Sequence, residues 1–285
     1  MRQPRGDSRG ILEPARLMRR VRFRRQLPAA ALRRWVEHYW LVDWDLTEPF
    51  EQRVVPHPAV NVVFQRHGDG PERAEVAGVG RKLFSIVLTG TGRVCGVQFR
   101  PGGFHPFWQR SVAELTGRRW SFAELTDRWP PAAAASADPT GLPAAGGAAA
   151  GSGICTGTDA ERCHVLDALL TSWAPRPDPV TDEVMGLVEA IRTDRGVRRV
   201  DEFARDHGIS VRRLQRLFVT HVGVGPKWVI RRYRLHEAIE RAAGGPPDWA
   251  GLAAELGYSD QAHLVRDFTA VTGVSPGAYA HGDRR

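Results

Sequence analysis

The chain has 285 residues, 42% of them hydrophobic and 25% charged, with a formal net charge of +8, which is room for about two ordinary domains with real cores. Its mean hydropathy is −0.33, and no apolar run approaches the roughly 18 residues that a membrane span needs, so a transmembrane protein is excluded. The three cysteines, Cys95, Cys155 and Cys163, make no Cys-x-x-Cys pair, so neither a disulfide framework nor a structural zinc site is expected, and the composition points to a reducing cytoplasm.

The charge is unevenly placed. Residues 1–25 hold nine arginines against Asp7 and Glu13. A block of like charge repels itself, so residues 1–26 read as a disordered basic tail, without the apolar segment of a secretory signal. Residues 27–129 read as a β-rich domain for sensing or dimerisation. Leu32, Trp35, Val36 and Tyr39 follow Pro28 at helical spacing, and strands are expected over 39–44, 53–65, 83–88 and 94–99. Gly90-Thr91-Gly92 marks a hairpin. Pro101-Gly102-Gly103 then ends the last strand, and 104–108 and 111–115 read as short helices. His38, His57, His67 and His105 lack His-x-His spacing or clustered glutamates, so they read as structural and no metal is expected. The Trp and Phe residues of this half read as core. Arg100 suits either a buried ion pair or an anionic ligand.

Residues 130–158 are rich in Ala, Pro, Gly and Ser and read as a flexible linker. A connecting helix over 159–174 follows, capped by Thr158 or Asp159, with an apolar stripe of Val165, Leu166, Leu169, Leu170 and Trp173. From 181 to 283 the pattern is helical. Val184, Leu187, Val188 and Ile191 open it, with Gly196 as the stop.

This last third contains a duplication. Ala204, Gly208, Ser210, Leu214 and Phe218 recur as Ala253, Gly257, Ser259, Leu264 and Phe268, with one inserted residue after the second serine. Each set describes a helix ended by a glycine of positive φ, a turn, a polar cap and a second helix packed through its Leu and Phe, which is a helix-turn-helix. Burying Leu214, Leu217 and Phe218 turns Arg212, Arg213 and Arg216 outward with Gln215 at the flank. In the second unit the outward residues are Gln261, Ala262, His263 and Arg266. Arg reads guanine and Gln reads adenine through paired hydrogen bonds in the major groove. Ser210, Lys227, Arg231 and Ser259 are expected at phosphates. Arg231, Arg232 and Arg234 form either a solvated face or phosphate contacts. Between the units, Pro226 starts a helix that runs to Gly244, a rod of roughly 27 Å against a spacing of about 34 Å between successive major-groove faces.

The segment Gly257-Tyr258-Ser259-Asp260-Gln261-Ala262-His263-Leu264-Val265-Arg266-Asp267-Phe268, with Gly273-Val274-Ser275-Pro276 and Tyr279 after it, resembles the signature of the AraC/XylS-type DNA-binding domain. The resemblance covers 181–281, and in the first unit Gly225-Pro226-Lys227-Trp228 replaces the usual Ser-Pro-x-x-Tyr. The stretches 31–46, 55–64 and 92–104, with Val97-Gln98-Phe99-Arg100-Pro101-Gly102-Gly103 and Ala113-Glu114-Leu115-Thr116, resemble a cupin-like domain of uncharacterised ligand. These resemblances imply an α+β, two-domain, cytoplasmic bacterial transcription regulator. It would bind double-stranded promoter DNA, respond to a small-molecule effector or to homodimerisation, act with RNA polymerase, and need no cofactor and no membrane. The alternative is an enzyme or a DNA-repair regulator with chemistry in the N-terminal half. Residues 27–129 show no paired carboxylates, activated serine or metal triad, and Arg162-Cys163-His164-Val165 departs from the Pro-Cys-His-Arg motif of alkyl-accepting proteins, so Cys163 reads as a packed thiol.

Overall fold

A computed structural model describes residues 10–125 and 153–281. The first part runs through α1 (Pro14–Arg20), β1 (Arg22–Gln26), β2 (Val36–Val54), β3 (Asn61–His67), β4 (Arg73–Ala77), β5 (Phe84–Phe99), α2 (His105–Trp108), β6 (Arg119–Ser121) and α3 (Phe122–Leu125). Its six strands make one antiparallel sheet in the order β1-β2-β5-β3-β4-β6. Side chains alternate between the two faces. Tyr39, Leu41, Phe64, Val97 and Phe99 bury one face against the aromatic residues of α2 and against Leu166, Leu169, Leu170 and Trp173 of α4 (Asp159–Ser172). Trp40, Val42, Trp44, Val63 and Val94 turn to the other face, which α1 and its flanks partly cover through Ile11, Leu17 and Val21.

Several local expectations give way to strand pairing. The helix expected around 32–39 is only a 3₁₀ turn at Ala30–Leu32. From Val36 the chain pairs with β5, because aromatic and β-branched side chains gain more on a half-buried sheet than in a short helix. Gly90-Thr91-Gly92 does not form a hairpin. β5 continues through it, pairing Gly90 with Leu46, and the register slips between Leu46 and Phe50. The other glycines of β5 serve close packing: a Cβ at Gly92 would run into the Trp44 indole, and one at Gly96 into Trp40. The strand expected over 53–65 is split, with β2 ending at Val54 and β3 starting at Asn61 beyond Pro56 and Pro58, since proline cannot donate to a ladder.

The basic tail is ordered from residue 10 onward, while residues 1–9 lie outside the described residues. Leu12, Leu17 and Val21 are buried among the arginines, and β1 pairs with β2. Arg24 donates to Asp43 at 2.7 Å and to Asp159 at 2.8 Å. Arg162, whose side chain is 2% exposed, donates to the other oxygen of Asp43 at 2.7 Å. The expected linker is likewise not loose throughout: Ile154 and Cys155 are fully buried, and their backbone N–H groups donate to the Glu72 carboxylate at 3.1 and 2.6 Å. The part of the linker over 130–152 lies outside the described residues. The helix expected as a connector is α4, opened by a capping box between Thr158 and Glu161, and it is a wall of the first domain's core.

The second domain consists of α5 (Pro179–Thr193), α6 (Val200–Asp206), α7 (Val211–His221), α8 (Pro226–Ala243), α9 (Trp249–Glu255), α10 (Gln261–Thr272) and α11 (Pro276–Ala280). It has two cores, one around Phe203, Leu214 and Phe218 and one around Leu252, Leu264 and Phe268. Each takes in side chains of the sheet domain: Val79 in the first, Leu12 and Val55 in the second.

Removing Asp43 should show how much the arginine network holds. Asp43→Ala removes the carboxylate hydrogen-bonded to the buried Arg162 guanidinium, leaving only the more distant Asp159 charge, and urea unfolding of the full chain is expected to show a loss of about 3 kcal/mol. A loss below about 1 kcal/mol, as for an exposed pair, would contradict this placement.

Candidate nucleic-acid interface

The two helix-turn-helix units repeat each other down to individual hydrogen bonds. α6 ends where Gly208 takes a φ of 64°, with Ile209 N–H donating back to the Ala204 carbonyl at 2.9 Å. α9 ends where Gly257 takes a φ of 68°, with Tyr258 N–H donating to the Ala253 carbonyl at 2.9 Å. This helix stop leaves orphan carbonyls satisfied and needs a residue at ease with positive φ. Ala204 and Ala253 are each 1% exposed, so α7 and α10 cross close above them. Leu214 and Phe218, like Leu264 and Phe268, are 0% exposed.

The extra residue in the second turn moves the cap. Ser210 caps α7 by accepting from Arg213 N–H at 3.2 Å, but α10 is capped by Asp260, which accepts from His263 N–H at 2.6 Å. A carboxylate gains from the positive end of the helix as well as from the hydrogen bond. Ser259 Oγ instead lies 3.1 Å from His263 Nδ1. With this register, the exposed stripe of α7 is Arg212, Gln215, Arg216 and Val219, and the matching stripe of α10 is Ala262, Val265, Arg266 and Thr269, where only Val265 is half-buried.

Arg213, expected in the reading set, is held within the protein. Its guanidinium makes two 2.7 Å hydrogen bonds to both oxygens of Glu183 on α5. His263, at the corresponding place in the second unit, packs edge-on against Tyr258 with ring centroids 5.1 Å apart. Gln261 is exposed at the first turn of α10, ahead of the stripe. Val219, 42% exposed, completes the exposed stripe of α7; sequence reasoning passed over it because an apolar residue on a polar face carries no charge signal.

α8 carries its arginines differently from a solvated face. Arg231 pairs with Asp267 of α10, which also accepts from Tyr258 Oη at 3.1 Å. Arg232 is 4% exposed, lies 4.5 Å over the Trp228 ring and donates to the Arg81 carbonyl at 3.1 Å, and burial lowers its pKa to about 10. Arg234 donates to the Val197 carbonyl. Lys227 remains exposed. Together with Arg198, Arg199, Arg231, Arg234 and His263 it lines a cleft of about 380 Å³ between the units, which also holds Asp201, the carboxylate partner of Arg199 at 2.8 Å. Arg198 and Arg199 escaped sequence reasoning because they precede α6, well before the reading helices.

A second concavity lies on the free face of the sheet. It holds about 560 Å³ and is walled by Phe23, Trp40, Trp44, Ile86 and other apolar side chains. Arg25, Arg81, Lys82, Arg118 and Arg119 also line it, and none of its described lining residues is acidic. The four histidines of this domain do not converge. His38 and His57 line the cavity, His67 packs edge-on to Trp44 at 5.4 Å, and His105 lies beside His221. Arg100 donates to the Arg33 carbonyl at 3.0 Å and pairs with Glu37 at 3.6 Å, so it serves the fold.

The cavity touches α8. His57 stacks on His236 with centroids 4.2 Å apart, and the Pro56 carbonyl accepts from His236 Nε2 at 3.3 Å. Arg81, whose carbonyl receives Arg232, lies on the cavity rim.

Two helix-turn-helix units share one bracing helix. Residues 203–282 match the family described as a helix-turn-helix domain (HTH_18), and residues 24–121 match a domain of unknown function (DUF6597). No curated protein matches the chain. Among solved structures, the C-terminal domain of AraT, a response regulator from Geobacillus stearothermophilus, is 20% identical, covering 38% of this chain and 88% of its own, with a TM-score of 0.33. Unsaturated fatty acid-bound ToxT from Vibrio cholerae is 10% identical, covering 85% and 94%, with a TM-score of 0.38. ToxT from Vibrio cholerae O395 bound to (E)-4-(8-methylnaphthalen-1-yl)but-3-enoic acid is 11% identical, covering 91% and 98%, with a TM-score of 0.41.

Two measurements follow. In binding competition against duplexes with single base changes, Arg212→Ala and Arg216→Ala should each relax preference at one or two positions by about 1–3 kcal/mol. Arg213→Ala should leave the preference intact and cost under about 1 kcal/mol of stability, as a half-exposed pair does. Equal relaxation by all three would show that Arg213 leaves Glu183 for the groove. Burial first, then Arg25 and His57, push His38 down from 6.5 to about 3. Below pH 6.5 the unfolded chain takes a proton that the folded chain refuses, so stability falls as pH drops toward 3, by up to about 1.4 kcal/mol per unit. Urea midpoints measured across that range should show a shallower slope for His38→Gln, and parallel slopes would contradict a neutral buried His38.

Proposed function

We propose that this protein is a bacterial, cytoplasmic transcription regulator that reads two adjacent major-groove segments of promoter DNA and is set by a small ligand held in its sheet domain. The observation that carries the proposal is the paired stripe on α7 and α10, repeated over the same cap, stop and core. Arg212, Gln215 and Arg216, joined by Val219, are the base-reading set of the first unit. Ala262, Arg266 and Thr269 serve the second, which is sparser and more tolerant. Lys227 and Arg198 suit phosphates, as do the hydroxyls of Ser210 and Ser259, and Arg199 does so only by leaving Asp201. Arg231 reaches phosphate only by leaving Asp267. RNA polymerase and a second copy of the chain are the further partners that the family resemblance implies.

The effector class follows from the cavity. An apolar hollow of about 560 Å³ with five cationic side chains, of which Arg119 is already paired with Glu75, and no acidic side chain in its described lining fits an amphiphile with an apolar body and an anionic head. Its route to DNA is short, because Pro56, His57 and Arg81 touch α8 directly. A catalytic role has less support. Burial pushes the Cys163 thiol up to about 12, the opposite of an activated nucleophile.

Selection of bound sequences from random duplexes by the full chain should return a bipartite motif with half-sites about one helical turn apart, and binding should weaken steeply with salt as phosphates release counterions. Repeating the selection with medium- and long-chain carboxylates should change affinity for the selected site. A single half-site, or no enrichment at all, would overturn the double-reader assignment. Unchanged affinity and melting temperature with every carboxylate would overturn the effector class alone.

A further inference from the structure

Where the two domains meet, three side chains from separate elements converge. His105 opens α2 just beyond the Pro101-Gly102-Gly103 break, Asp178 caps α5, and His221 ends α7. His221 Nε2 lies 3.8 Å and His105 Nδ1 4.0 Å from the same oxygen of Asp178, and the two rings are 4.1 Å apart. These separations are too long for direct hydrogen bonds. They approach the roughly 3.3 Å between donors on a tetrahedral ion with bonds of about 2.0–2.1 Å. One donor atom from each residue lies within 4.8 Å of the other two, and no other described group of His, Cys, Asp or Glu meets this arrangement.

The surroundings orient these donors. His221 Nδ1 is 3.0 Å from the Leu217 carbonyl, which can only accept, so Nδ1 carries the hydrogen and Nε2 presents its lone pair toward Asp178. The carboxylate is fixed by N–H groups of Val180 and Thr181 at 3.0 and 3.1 Å and by the Thr181 hydroxyl at 2.8 Å. The side chain of His221 is 7% exposed, but those of His105 and Asp178 are 20% and 32% exposed, leaving an entry path and a place for a water ligand. The other histidine pair shows the contrast: His57 and His236 stack at 9°, as packing does, whereas His105 and His221 are tilted by 33° and both aim a nitrogen at one carboxylate.

We propose that His105, Asp178 and His221 bind a divalent transition-metal ion, zinc by donor type, and thereby tie the sheet domain to the C-terminal end of the first reading helix. Two imidazoles and a carboxylate select zinc, nickel or copper over calcium and magnesium, which take oxygen donors. The tie falls beside an existing one, the Thr116 hydroxyl donating to the Gly223 carbonyl at 2.8 Å. The ion would thus brace the junction from which α7 projects toward DNA.

The test uses the metal-stripped full chain without DNA, so its outcome is independent of the regulatory assignment. Titration with zinc chloride by calorimetry should give one saturable site. His105→Gln should weaken it by at least about tenfold, and so should Asp178→Asn, which keeps a capping side chain. Zinc should raise the melting temperature of the parent and of neither variant. Cobalt bound in the same site should show nitrogen and oxygen ligation without a thiolate band, which separates it from capture by Cys163. Absence of saturable binding, binding unchanged in both variants, or a thiolate band would each overturn the site. A variant that fails to melt cooperatively without metal is replaced by His105→Asn, judged by the same criteria.

Discussion

Everything in this molecule hangs on the burial of α8. An 18-residue helix that served only as a strut between two readers would need one apolar stripe per reader, but Val229, Ile230, Leu235, Ala238, Ile239 and Ala242 are buried together with Arg232 and His236. The apolar set fills the two helix-turn-helix cores, and the two polar residues face the sheet domain. A helix covered on this many sides cannot rotate or slide without repacking dense interiors, each lost contact costing dispersion energy. The relative placement of α7 and α10 is therefore a property of three packed surfaces.

The same demand explains why the arginines of the basic stretch are distributed inward as well as outward. Seven basic residues without an acidic neighbour between Ile209 and His236 suggest one positive face in the sequence. In the fold, Glu183 and Asp267, from outside the stretch, take Arg213 and Arg231, and backbone carbonyls take Arg232 and Arg234. Local charge counts say nothing of partners brought in by tertiary contact. What survives as exposed cation is Arg212, Arg216 and Lys227, with Arg198 added from before α6, where its neighbour Arg199 is taken by Asp201.

Sequence reading succeeded where structure is local. The spacing from Ala204 to Phe218 and from Ala253 to Phe268 encodes stop, turn, cap and buried face within about fifteen residues, and periodicity registers each of them. The sheet domain was less legible because its decisive contacts join distant segments. Nothing near Gly96 announces Trp40, and nothing near Ile154 announces Glu72, yet these contacts decide that β5 runs straight and that the end of the linker is packed. The first segment misled for a different reason. Ile11, Leu12, Leu17 and Val21 were visible, but the arginines among and just after them dominate any composition window, and only Asp43 and Asp159 show that the charge of Arg24 is neutralised on the sheet. Within the reading set, the single insertion that moves the cap from Ser259 to Asp260 shifts which residues face outward, a difference that only cap geometry resolves.

The packing of α8 also limits how a ligand in the sheet domain can act. A ligand shifts an equilibrium only by its differential affinity for two states, and coupling between sites is typically about 1–3 kcal/mol. Here the two states must differ at the seam where His57 stacks on His236 and Arg232 reaches the Arg81 carbonyl, since that is where the cavity wall and the strut are one surface. Val55, the residue next to Pro56, is fully buried in the second unit's core, and Val79, next to the cavity-lining Gly78 and Gly80, is fully buried in the first. A shift of either loop would move a core side chain of a reading unit. Tightly packed interiors resist graded deformation and switch between discrete arrangements. An effector at this seam would thus act on the separation and tilt of both readers at once, changing which spacing of half-sites is bound without altering any residue that touches a base.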